Sequence, residues 1–191
     1  FAPVLVGTVI ALADDAAHWP AAAAALAGAL LIQIGTNFAN DYFDFRKGAD
    51  TAERTGPARM VQSGLIAPAA MWRASLLAFA LATLVGIYLV ARGGWPVVWI
   101  GLLSIASGVL YTGGPRPLGY LGLGEAFVLV FFGPVAVGGT YYVQTLTLDG
   151  WVLLAGLGPG LISVAILTVN NLRDIRTDAR AGKRTLAVRF G

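Results

Sequence analysis

The chain has 191 residues, of which 57% are hydrophobic and 12% charged, with a mean hydropathy of +0.74. Soluble domains carry about 25% charged residues, so long apolar runs between short charged loops read as a polytopic membrane protein. No cysteine is present, which excludes disulfides and thiolate chemistry; the lone histidine excludes a multi-histidine metal centre; and the formal charge of +3 sits in loops, where it reports membrane topology and not nucleic-acid binding.

Residues 1–13, "FAPVLVGTVIALA", are expected to be the tail of one span, since a crossing helix needs roughly 20 apolar residues. No initiator Met and no basic leader before an apolar run is visible there. His18 falls in a short polar loop and is expected to have no special role. Residues 21–43 form the second predicted span, and a charged segment follows at 44–67. Further spans are expected at 68–91, 95–112, 119–142 and 150–171, after which the chain turns polar, "NNLRDIRTDARAGKRTLAVRFG". The expectation is therefore an all-α transmembrane bundle with five full spans and one partial one. It reads as a single membrane-embedded domain over 1–191, cut at both ends. Small-residue spacing in "GLGPG", with Gly156 and Gly160, predicts a close helix approach, and Pro134 and Pro159 predict kinks.

Charge distribution gives an orientation. Arg46, Lys47, Arg54, Arg59, Arg73, Arg116, Arg173, Arg176, Arg180, Lys183, Arg184 and Arg189 are 12 of the 13 basic residues, and all lie in loops on one side; only Arg92 lies on the other. Positive loops favour the cytoplasm, so this face is expected to be cytoplasmic.

Two acidic motifs share that basic face. In "NFANDYFDFRKGAD", Asn37, Asp41 and Asp44 are spaced i, i+4, i+7 and lie on one face of a helix, with Asn40 four residues before Asp44. In "NNLRDIRTD", Asn170, Asp174 and Asp178 are spaced i, i+4, i+8, with Asn171 beside them. Carboxylates packed this closely repel one another unless a cation intervenes. Hard oxygen donors suit Mg²⁺, which prefers a few carboxylates plus substrate phosphates to a full protein cage. The residues thus predict a Mg²⁺-bridged site for a phosphorylated ligand, with Arg46, Lys47, Arg116, Lys183 and Arg184 available for phosphate oxygens. Two alternatives stand beside it. One is a salt-bridged helix surface. The other is a cation transporter with intramembrane carboxylates, although its acids belong nearer the membrane centre.

"NDYFD" followed by Asp50, together with "NNLRDIRTD", resembles the two Asp-rich motifs of the UbiA superfamily of membrane-embedded prenyltransferases. "GPARMVQSGLI", "YTGGPRPLGYLGLGEAF" and "FFGPVAVGGTYYVQ" extend the likeness along the chain, towards the branch that prenylates 1,4-dihydroxy-2-naphthoate in menaquinone biosynthesis. Asp50 lies six residues after Asp44 where many members show four, a spacing similar to that branch. The resemblance implies transfer of a polyprenyl group from a polyprenyl diphosphate to the naphthoate, with loss of CO₂, giving demethylmenaquinone. Related acceptors are 4-hydroxybenzoate, homogentisate or a haem precursor. It implies Mg²⁺ on Asp41, Asp44, Asp174 and Asp178, with Asn37, Asn40, Asn170 and Asn171 ligating or orienting. Lys47, Arg116, Lys183 and Arg184 are implied to stabilise the departing diphosphate. Location in the inner (cytoplasmic) membrane is implied as well. Tyr42, Tyr111 and Tyr120 lie near cytoplasmic helix ends, as carbocation-facing rings or as interfacial-belt residues. Glu125, near the start of an apolar span, is read either as a contact or proton acceptor for the acceptor's hydroxyls, or as an ion pair with Arg116 or another basic neighbour.

Overall fold

In the computed structural model, which describes residues 1–49, 57 and 59–191, the chain is helical throughout its ordered elements. Asp50 and Arg54 lie outside the described residues. The elements run α1 (Ala2–Ala13), α2 (Trp19–Arg46), α3 (Pro68–Gly93) and α4 (Trp95–Leu110), then a 3₁₀ turn (Leu118–Leu121). They continue with α5 (Gly124–Val130), α6 (Ala136–Thr145), α7 (Gly150–Ala155), α8 (Leu157–Arg173), α9 (Ile175–Arg180) and α10 (Leu186–Phe190).

Among the described residues, four helical stretches are long and apolar enough to cross a membrane: Trp19–Arg46, Pro68–Gly93, Gly124–Thr145 and Gly150–Arg173. The predicted span at 95–112 is shorter than expected. Its helix covers 16 residues, about 24 Å at 1.5 Å per residue, against a hydrocarbon core of about 30 Å. Gly94, at φ +69°, breaks the chain before it, and "TGGPRP" cannot continue it. The span predicted from 119 begins instead at Gly124, because residues 118–121 wind into the 3₁₀ turn and Gly122 takes a left-handed conformation.

Large apolar side chains cover the outside: Leu84, Ile87, Leu103 and Ile162 are all more than half exposed. Such a surface suits lipid and not water. Small residues fill the interior, where Ala11, Ala21, Ala39 and Val137 are fully buried. This lets backbones approach. Ser75 of α3, wholly buried, donates to the Gly35 carbonyl of α2 at 2.8 Å. The predicted approach at Gly156 and Gly160 is present. A Cβ on Gly156 would meet backbone atoms of Gly133 and Pro134 at 2.7–2.8 Å, and one on Gly160 would lie 2.9 Å from the Leu129 carbonyl. Pro134 acts as expected: it sits in a widened turn at Phe131–Val135 between α5 and α6, where Gly133 leaves helical geometry. Around Pro159 the chain stays close to helical, with Gly156 between α7 and α8 at φ −62°, ψ −23°, although the proline has no N–H to return to the turn before it.

His18 has a local structural role: it is the N-cap of α2, and its Nδ1 accepts the Ala21 amide at 3.2 Å. Arg92, at the end of α3, donates to the carbonyls of Val143 (2.6 Å) and Gln144 (2.8 Å) near the end of α6. These two helices therefore finish at the same end of the bundle. The C-termini of α2, α4 and α8 gather at the other end, where both acidic motifs lie.

Candidate active site

The last turn of α2 buries two carboxylates. Asp41 is 6% exposed and Asp44 2%. The i, i+3 spacing aims both inward, and residues 59–61 close over them. The Met60 amide donates to Asp41 Oδ2 at 3.1 Å, while the other oxygen, Oδ1, is buried with no hydrogen-bond partner. Asp44 is fully engaged. Its Oδ1 accepts from the Tyr120 hydroxyl at 3.1 Å and lies 3.2 Å from the Lys183 ammonium, and Oδ2 lies 3.8 Å from the Arg59 guanidinium.

Lys183 joins the two motifs. The same ammonium is 3.7 Å from Asp178 Oδ1. It also sits 5.1 Å from the Tyr120 ring centroid, and Lys47 sits 4.8 Å from it. Tyr120 thus places two cations beside Asp44. Lys47, the residue that ends α2, donates to the carbonyls of Thr112 (2.6 Å) and Gly114 (3.1 Å) beyond α4. Burial pushes its ammonium below the ordinary lysine range; the Asp44 charge opposes this and Lys183 adds to it. Asn40 Oδ1 accepts from the Thr112 hydroxyl at 2.8 Å, which ties α2 to the end of α4.

The second motif differs from its expected continuous helix. The helix is interrupted at Asp174, between α8 and α9, at φ −96°, ψ 9°. The Asp174 carbonyl accepts both the Thr177 hydroxyl and the Asp178 amide, each at 2.8 Å. Asp174 forms a two-pronged pair with Arg173, at 2.9 and 2.7 Å, on its own motif. Asp178 therefore reaches Lys183 from a redirected helix, and the four aspartates do not meet at one point.

The remaining candidates divide into those near the cluster and those facing out. Asn171 Nδ2 donates to Glu125 Oε1 at 2.9 Å, so Glu125 pairs with the second motif, and Asn171 spends its amide on it. Asn170 is half-buried one turn before Asp174. Asn37, Arg116 and Arg184 are exposed; Arg184 contributes its backbone N–H to the Tyr120 carbonyl at 3.0 Å. Tyr42 stacks on Trp72 at 5.3 Å. Sequence reading gave no site role to Arg59 or Thr112 and left the role of Tyr120 open. All three act through contacts distant in sequence, for which local spacing holds no signal.

Beside this cluster runs an apolar cavity of about 520 Å³ between α1, α2, α3, α4 and the α5–α6 segment. Thr36, one helical turn before Asn40, and Tyr111, at the end of α4, line it with a few other polar residues, Gln33, Ser104 and Ser107 among them, in a mostly apolar wall. Its size suits a small-molecule site, and its lining suits a hydrocarbon.

Among the described residues, no three Asp, Glu or His side chains converge tightly enough to hold a metal unaided. The donors fit a divalent ion that arrives with phosphate oxygens: two buried carboxylates, one with a partnerless oxygen, and cations beside them.

The model of the UbiA prenyltransferase family matches residues 1–191. The chain is similar to a 1,4-dihydroxy-2-naphthoate octaprenyltransferase of Mycobacterium tuberculosis, 48% identical over 191 residues, 100% of this chain and 65% of that protein. Proteins of the same name in Escherichia coli and Bacillus subtilis are 42% and 36% identical, again over 100% of this chain and over 64% and 61% of theirs. The chain therefore spans less than two thirds of the length of these curated relatives. With the family's sequence pattern running through every one of its residues, the chain belongs to the UbiA prenyltransferase family.

Proposed function

We propose that the protein transfers a polyprenyl group from a polyprenyl diphosphate to 1,4-dihydroxy-2-naphthoate, with loss of CO₂, to give demethylmenaquinone in its quinol form. The observation that carries this reading is the Asp44–Lys183–Asp178 cluster beside a cavity with apolar walls. A diphosphate requires the first and a polyprenyl chain the second. The names of the relatives support the naphthoate as acceptor.

In this reading Asp41, Asp44 and Asp178 hold a divalent cation, Mg²⁺, with Asp174 completing the second motif and Asn37, Asn40 and Asn170 supporting the carboxylates. When bound, that cation neutralises the diphosphate and makes it a better leaving group. Lys47 and Lys183 hold phosphate oxygens, and Arg116 and Arg184 add positive charge at the rim. The allylic C–O bond breaks and the diphosphate leaves with the electron pair. The ring carbon bearing the carboxylate bonds to the prenyl carbon; CO₂ then departs, and its bonding pair restores the aromatic ring. No net proton is required for an ionised carboxylate. Glu125, oriented by Asn171, accepts a hydrogen bond from an acceptor hydroxyl. Apolar walls keep water from the cationic prenyl carbon. The protein is placed in the cytoplasmic membrane with both motifs on the cytoplasmic side, in line with the basic loops.

A product assay tests this. Membranes carrying the full-length protein receive a polyprenyl diphosphate, Mg²⁺ and either 1,4-dihydroxy-2-naphthoate or 4-hydroxybenzoate, each with and without EDTA. Prenylated naphthoate with CO₂ release, abolished by EDTA, is the expected result. Product from the benzoate alone would overturn the acceptor. Product from neither would turn attention to another acceptor or to cation transport.

A further inference from the structure

We propose that Lys183 is an exchangeable internal cation, which occupies the carboxylates shared by the two motifs and gives them up only when a metal–diphosphate complex loads. This rests on the diphosphate–metal reading above and adds an order of events to it.

One ammonium contacts carboxylates from both motifs, Asp44 at 3.2 Å and Asp178 at 3.7 Å, and its side chain is only 14% exposed. A divalent cation and an ammonium drawn to the same two carboxylates compete for them, by space and by charge. The backbone around Lys183 is fixed on both sides. Its own N–H donates to the Asp178 carbonyl at 2.9 Å, and the Arg184 N–H donates to the Tyr120 carbonyl at 3.0 Å. Exchange is therefore a swing of a flexible four-carbon side chain and needs no movement of the loop. The Tyr120 ring, 5.1 Å away, steadies the ammonium at its resting position, and the Tyr120 hydroxyl donates to the same Asp44 oxygen.

Asp41 is the counterpart. Its Oδ1 is buried and has no hydrogen-bond partner, so no internal cation meets it as Lys183 meets Asp44 and Asp178. Free divalent metal has one partnerless, buried carboxylate oxygen to reach and a nearby positive charge to oppose it, and binds weakly. A metal that arrives on a diphosphate brings phosphate oxygens of its own and offers Lys183 a new anionic partner. The ammonium then changes from counter-ion of the empty motifs to ligand of the leaving group. The metal cannot hold the motifs firmly before substrate is present.

Mn²⁺ binding to the full-length protein in nanodiscs, followed by electron paramagnetic resonance, tests this without turnover. The samples are wild type, K183Q, K183R and K183M, each with and without a non-reactive prenyl thiodiphosphate. K183M keeps side-chain length without charge, as a second variant should K183Q fold poorly. Without the thiodiphosphate, K183Q and K183M are expected to bind Mn²⁺ about tenfold more tightly than wild type, the size of effect a neighbouring charge exerts on a carboxylate. K183R should match wild type, and with the thiodiphosphate the advantage of the neutral variants should vanish or reverse. Unchanged or weaker Mn²⁺ binding in the neutral variants, while wild type still binds Mn²⁺ with the thiodiphosphate, would overturn the exchange and leave the diphosphate–metal reading intact. Tighter binding in K183R as well would also overturn it, because the cause would then be a loosened loop. No Mn²⁺ in wild type even with the thiodiphosphate would remove both.

Discussion

Asp44→Asn in the full-length protein should abolish prenyl transfer and lower thermal stability together. Asp44 is 2% exposed, and its carboxylate receives Tyr120, Lys183 and Arg59. Asparagine keeps the shape and loses the charge. It leaves Lys183 and Arg59 facing a neutral amide in a largely buried site. Removing one partner of a buried pair costs about 3–5 kcal/mol. The lower end, about 3 kcal/mol, applies here, because Lys183 and Arg59 retain 14% and 24% exposure. Turnover should fall by at least about 10³-fold if, as proposed, Asp44 serves both the metal and Lys183, because one charge then serves both. The check is the product assay beside a thermal melt in detergent. Loss of activity with an unchanged melt would mean that the Asp44 ion pairs add nothing to the fold.

Asp41→Asn should separate the two effects. Asp41 keeps one oxygen on the Met60 amide and buries the other without a partner. A buried carboxylate oxygen of this kind is a cost to the fold, so removing the charge should leave the melting temperature unchanged or raise it. Prenyl transfer should still fall by about 10²-fold or more if that same oxygen is, as proposed, a metal ligand. Thermal melts and initial rates on one preparation decide it. A variant that melts well below wild type would show that Asp41 is a structural residue. Taken with Asp44→Asn, the pair distinguishes a carboxylate already balanced by the protein from one awaiting its cation.

Much of this organisation is legible in the sequence because a membrane imposes length and polarity on each helix. The apolar runs at 21–43 and 68–91 became α2 and α3 with little change, since nothing inside them breaks a helix. The run at 95–112 overstated its helix at the C-terminal end, because Tyr111 and Thr112 already turn the chain into the "GGPRP" loop. The inward pair Asp41 and Asp44 follows from helical spacing alone. Asp174 and Asp178 do not, because the backbone leaves helical geometry at Asp174, between α8 and α9, and breaks the helix on which that spacing was projected. Hidden most completely were partners distant along the chain. Tyr120 and Asp44 are 76 residues apart, and no periodicity connects them. Glu125 was an isolated charge at the start of a span until Asn171, 46 residues on, supplied its hydrogen bond.

The two motifs, separated in sequence and joined here through Lys183, are proposed to act as one diphosphate–metal site. A double-variant cycle tests it most directly, by calorimetric binding of a prenyl thiodiphosphate with Mg²⁺ to wild type, Asp41→Asn, Asp178→Asn and the double variant. Residues that serve one bound group lose their effect together. Each single change should therefore weaken binding nearly as much as both do. Losses that simply add would mean two independent sites and would contradict the account.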